Sequence, residues 1–100
     1  MNRNNLKPIV RSVFVLIENE LKRRNVDAMP ALFDGDTDHA LLITDKFILK
    51  LNYFIHGMWD FEDCLVEVMK HESSEVIQKF IIEWDRQDAG VQKMLDELEF

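Results

Sequence analysis

Six apolar residues near the start of the chain, Ile9, Val10, Val13, Phe14, Ile17 and Leu21, recur at steps of three and four. That is the repeat of one helix face, and it predicts an amphipathic helix over residues 7–24. Pro8 suits its first turn, where a missing N–H leaves no hydrogen bond unmade. Asn25 is the expected stop. Residues 26–33, interrupted by Pro30, then read as a connection or a short edge strand.

The apolar stripe of such a helix needs a core, and 100 residues is the usual size of one domain, so a single domain spanning 1–100 is expected. Apolar residues make up 47% of the chain and Gly plus Pro only five positions, which excludes the disordered and fibrous classes. The apolar run 13–17 is flanked by Lys7, Arg11 and Glu18 and is too short for a membrane span or a secretory segment. Cys64 is the sole cysteine, so one chain can form neither a disulfide nor a thiolate metal cluster, and a reducing cytoplasm is the expected location. Beside Phe61, Leu65 and Val68, Cys64 reads as a small buried apolar residue.

In the middle of the chain, Phe47, Leu49, Leu51, Tyr53 and Ile55 alternate with Ile48, Lys50, Asn52, Phe54 and His56, a period of two in a stretch rich in Ile, Phe, Tyr and Leu. With turns at Asp34-Gly35 and at residues 44–46, this predicts an antiparallel meander of two or three strands. After Gly57 the pattern reads as helical again. Phe61, Cys64, Leu65, Val68 and Met69 form one stripe; Val76, Ile77, Phe80, Ile81 and Trp84 form a second, with Ser73 or Ser74 as its N-cap; Val91, Met94, Leu95 and Leu98 form a third. The expected fold is α+β: an N-terminal helix, a small antiparallel β-meander and C-terminal helices. One long helix over 36–56 would give an all-α bundle instead.

Motifs for chemistry are missing from the sequence. The segment D-G-D-T-D at 34–38 places carboxylates as a calcium loop does, but His39 stands where that loop needs glycine, so a solvated turn is expected and no metal site. His39, His56 and His71 lie 17 and 15 residues apart, without zinc-ligand spacing. Gly57 separates His56 from Asp60, which argues against a base and its orienter. Neither a phosphate loop nor a nucleophile elbow is present, so no enzyme activity and no cofactor are expected.

Charge is the remaining signal. Residues 1–30 hold six basic and three acidic side chains, a balance of +3, which leaves six basic and sixteen acidic, or −10, for the rest of a chain whose net charge is −7. Such a field disfavours nucleic acid and anionic membranes and attracts a protein with a basic surface. The cationic run Lys22-Arg23-Arg24 is explained by the negative end of the first helix.

On a helix, Asp60, Asp63 and Glu67 would form an acidic stripe, and with Glu83, Asp85 and Asp88 they are the candidate partner-binding residues. Helix-borne carboxylates can stand in for DNA phosphates, so a nucleic-acid mimic is one form the expectation takes; a helix N-terminus with a solvated acidic face is the plainer account. The expected function is that of a small acidic protein that inhibits or neutralises a partner protein, in the manner of phage inhibitors or toxin-immunity proteins. The alternative is a structural or adaptor subunit. In that reading Val91, Met94, Leu95 and Leu98, with Phe100 beyond them, are covered by a partner helix or a second copy; otherwise the last helix docks on its own domain. Among the large residues that tend to anchor interfaces, Tyr53, Met58, Trp59, Trp84 and Met94 are for the most part expected in the core.

Overall fold

The computed structural model describes residues 3–57 and 61–100, the side chain of His56 excepted. Helix α1 (Pro8–Arg23) is followed by strands β1 (Ala28–Leu32), β2 (His39–Thr44), β3 (Ile48–His56), β4 (Phe61–Met69) and β5 (Val76–Ile82), a 3-10 turn (Trp84–Arg86) and helix α2 (Gln87–Glu97). The strands form one antiparallel sheet in sequence order. The class is α+β, as expected, and an all-α bundle is excluded.

Local signals account for the first half. Pro8 opens α1, and Asn25 leaves the helix in the left-handed region at φ 60°, where Asn is tolerated. Edge strand β1 accommodates Pro30 at a sheet margin. The β2–β3 turn is held by Thr44, whose hydroxyl donates to the Phe47 carbonyl at 2.8 Å and accepts from the Phe47 N–H at 3.0 Å.

The second half differs from the expectation. Residues 61–69 and 76–82 are strands, and α2 is the one α-helix that follows β3 among the described residues. Apolar neighbours recur there in pairs four residues apart: Cys64-Leu65 and Val68-Met69, then Val76-Ile77 and Phe80-Ile81. Such pairs fit a helical stripe, but they equally fit a strand that is apolar on both faces. Pairing decides between the two, because β4 bonds β3 along its whole length and β5 bonds β4. The residues expected to cap a helix form the hairpin turn, with Ser74 at φ 55° and the Lys70 N–H donating to the Glu75 carbonyl at 3.0 Å.

One sheet face carries Ala40, Leu42, Leu49, Leu51, Cys64, Val66, Val68 and Ile82, and the apolar faces of α1 and α2 close over it to make one core. Val91, Met94, Leu95 and Leu98 belong to that core. The four residues assigned to an oligomer interface are therefore covered by their own chain, the docked arrangement of the last helix. Lys46 secures its end, donating from Nζ to the carbonyls of Leu98 at 2.8 Å and Glu99 at 3.1 Å, while Phe100 meets Phe47 edge-on at 6.2 Å between ring centres.

A polar clamp joins the two helices. Buried Glu20 accepts from Arg24 Nε at 2.9 Å, and Arg24 Nη2 reaches Gln92 at 3.0 Å and Asp96 at 2.8 Å. Arg23 lies 2.7 Å from Glu20 Oε1 as an ion pair, outside hydrogen-bond alignment. The Arg24 hydrogen bond, helped by Gln92 and by the charges of Arg23 and Arg24, outweighs burial and holds the Glu20 carboxyl below its ordinary value. A depressed carboxyl stabilises the fold above its unfolded pKa, and that contribution is lost as pH falls through the folded value. Glu20→Gln is therefore expected to lower the melting temperature most at pH 7. The gap to wild type closes below about pH 4. Thermal melts across this range check it, and a gap independent of pH would contradict the assignment.

Candidate functional site

Cys64 stands opposite Ile82 in the β4–β5 register. Residues 61–63, just before the one, and 83–85, just after the other, are thereby brought side by side at one end of the sheet. Together with Pro8 at the start of α1 they line a cleft of about 790 Å³: Phe61, Glu62, Asp63, Glu83, Trp84 and Asp85. Phe61 and Trp84 remain 56% and 51% exposed, whereas Asp63 is 4% exposed.

Neighbouring structure fixes both walls. Tyr53 donates its hydroxyl to Glu62, and Lys7 Nζ sits 5.1 Å above the Tyr53 ring. On the other side the Trp84 carbonyl accepts from Gln87 Nε2 at 3.1 Å, and Gln87 in turn accepts from the Ser12 hydroxyl of α1. The turn that carries Trp84 is thus tied to the first helix as well as to α2.

Four carboxyl side chains and no basic one line this cleft among the described residues. Apolar walls beside like charges focus a negative potential, and exposed aromatic faces add attraction for cations. The cleft suits a cationic group carried on an apolar stem.

The expected site residues are partly reunited. Asp63, Glu83 and Asp85 line the cleft; Asp60 lies outside the described residues, as do Met58 and Trp59. Glu67 is elsewhere, half-buried on the sheet between Lys50 and Lys79 and accepting from Asn52 Nδ2 at 3.0 Å. Asp88 is exposed in the first turn of α2, where it complements the helix dipole. The helical stripe of Asp60, Asp63 and Glu67 does not form, because β4 is a strand. Glu62 and Phe61 were not singled out as site residues, and their signal was the pairing of residues 61–69 with 76–82.

The other candidates for chemistry are occupied. Asp36 Oδ1 accepts from the N–H groups of Asp38 at 2.8 Å and His39 at 3.0 Å, and its other oxygen lies 2.9 Å from His39 Nδ1. Partial burial would raise its pKa, but these bonds together with the His39 charge hold it below the ordinary value, so this carboxylate serves the turn. Burial pushes the Cys64 thiol up to about 12, which leaves it protonated and unreactive as a nucleophile. No helix among the described residues is long and apolar enough to cross a membrane.

Comparison with protein families, curated proteins and solved structures finds no match to this chain.

Proposed function

We propose that this domain binds a partner protein through the acidic cleft, receiving a basic segment of that partner and neutralising it. One observation carries the reading: the fold brings Glu62 and Asp63 beside Glu83 and Asp85, about 20 positions away in sequence, around two half-exposed aromatic rings. Large aromatic side chains are frequent anchors of interfaces, and opposite charges around them steer the partner's approach. Arginine and lysine side chains match it in charge and in apolar stem. On this reading the domain acts by occlusion and performs no chemistry, and its lone buried cysteine accords with a cytoplasmic setting.

A docked last helix removes the support for self-association through Val91, Met94, Leu95 and Leu98. Nucleic-acid mimicry is the special case in which the basic segment belongs to a nucleic-acid-binding groove.

The test uses tagged full-length protein and nuclease-treated lysate. Captured proteins are identified by mass spectrometry, and the purified partner is titrated against wild type and the pair Glu83→Lys, Asp85→Lys. Reversal of two charges is expected to weaken binding by roughly 100-fold or more, with association slowing steeply as salt rises. Undiminished binding by the double variant would reject the cleft. Competition by double-stranded DNA for the same partner would identify the mimic form.

A further inference from the structure

The sheet ends in two edge strands, β1 and β5. At such an edge every second residue turns its N–H and carbonyl away from the sheet, a template for a further strand unless something blunts it. Edge β1 is blunted by Pro30, the middle one of its five residues, which has no N–H to offer. Edge β5 is blunted at one end only. Met69 pairs with Val76 and Val68 with Gln78, so Ile77 is an extra residue that interrupts the ladder beside the β4–β5 turn. From Gln78 to Ile82 the register is regular, and the segment holds no proline, no glycine and no carboxylate. Gln78, Lys79 and Ile81 are exposed along it, and no described strand pairs with its outer side.

This open stretch leads directly into the acidic cleft. Glu83 continues the extended backbone at φ −78° and ψ 147°, and Trp84 and Asp85 follow it. We infer that the basic segment of the partner binds as a sixth strand along Gln78–Ile82, antiparallel to it, with an arginine or lysine near its N-terminal end held in the cleft. The inference rests on the cleft as the partner-binding site and adds the form in which the partner arrives. Main-chain hydrogen bonds to the edge supply affinity in this mode of recognition, and the cleft supplies the choice of side chain.

Direction and charge select this occupant. Every pairing in the sheet is antiparallel, and that pairing is the more stable per residue, so the N-terminal end of the guest lies beside Ile82 and Glu83. A neighbouring strand sits about 4.8 Å away, a distance that an arginine stem spans. Within β5 itself Lys79 is the sole charge and Glu67 stands opposite it in the register, so the cations of the guest belong at the cleft end. Next to Ile81, 50% exposed, the guest places an apolar or β-branched side chain. A second copy fits worse. Two β5 strands paired antiparallel about Phe80 bring Glu75 of each copy toward Asp85 of the other, on chains that each carry a net charge of −7.

The probe is the end-blocked peptide Arg-Arg-Val-Thr-Val-Thr, titrated into the isotope-labelled full-length protein and followed through its amide resonances. A second peptide, Arg-Arg-Gly-Gly-Gly-Gly, keeps the cations and lacks strand-forming residues. The first is expected to bind roughly tenfold tighter or more, and to slow hydrogen exchange at alternate amides of residues 78–82. Methylating the backbone nitrogens of its two valines, or those of its two threonines, is expected to abolish this gain in one case only, since one set faces β5 and the other turns away. Equal affinity for the two peptides, or an equal response to the two methylations, would overturn the sixth strand; a loss of that binding in the pair Glu83→Lys, Asp85→Lys would still uphold the cleft. Binding of neither peptide would remove the cleft reading and the strand with it. Exchange at residues 78–82 that slows with protein concentration alone would make a second copy the occupant and overturn the inference.

Discussion

Leu95→Asp is expected to leave no cooperative unfolding transition at 25 °C, because the carboxylate would replace a side chain with no solvent exposure in the core shared by α1, α2 and the sheet. An unpaired charge buried this way has no partner to offset its desolvation, and costs of more than about 4 kcal/mol arise from this mechanism. A domain of this size has a total stability of about 5–15 kcal/mol. The experiment also decides between two roles for the last helix. Had Val91, Met94, Leu95 and Leu98 formed an interface, the variant would be a well-folded monomer with higher solubility; in the docked helix it is unfolded. Near-UV circular dichroism and a urea titration separate these outcomes.

Phe14→Ala is expected to lower the unfolding free energy by about 3–5 kcal/mol, the usual range for removing a buried phenylalanine and leaving the space partly unfilled. Phe14 lies on α1 with no solvent exposure, and the Arg3 guanidinium sits 5.2 Å from its ring centre. The helix cannot move inward to fill the gap, because the Glu20–Arg24 clamp fixes its end to α2 and the Ser12–Gln87 bond fixes its middle. The midpoint in a urea titration should fall while the slope stays near its wild-type value. A loss below about 1 kcal/mol would mean that the core closes around the missing ring, contrary to that bracing.

The helix around Phe14 is announced clearly by the sequence, and the strands around Cys64 and Phe80 are not. Around Phe14, apolar residues fall at steps of three and four across the 16 residues of α1; Arg11, Ser12 and Glu18 bound the apolar run 13–17, and a helix puts Val13, Phe14 and Ile17 on the core side with Val15 and Leu16 half-buried at its margin. Around Cys64 and Phe80 the same steps occur, but Val66, Val68 and Ile82 fill the alternate positions that a strand directs into the core. The β-branched content of 66–68 and 76–82 was the legible hint of strands. It was outweighed because the outer sheet face is apolar as well, which hides the alternation that a solvated face would display.

The candidate cleft has the same history. Asp63, Glu83 and Asp85 stood out as part of an acidic excess, but nothing local joins residue 63 to residues 83 and 85. The β4–β5 register does so, and it brings in Phe61, Glu62 and Trp84.

By itself the sequence determined the first helix with its proline start and asparagine stop and the acidic balance; it favoured the central meander over one long helix and left the segment around Pro30 as a connection or an edge strand. Each is written in periods, turn residues or charges that act within a few positions of one another. Only the tertiary structure decided that residues 61–69 and 76–82 are strands, that the last helix docks on its own core, and that Asp63 shares a cleft with Glu83 and Asp85. In those segments local preference is evenly divided, and the free energy that settles them comes from backbone pairing with β3 and burial against α1, contacts made between residues far apart in the chain.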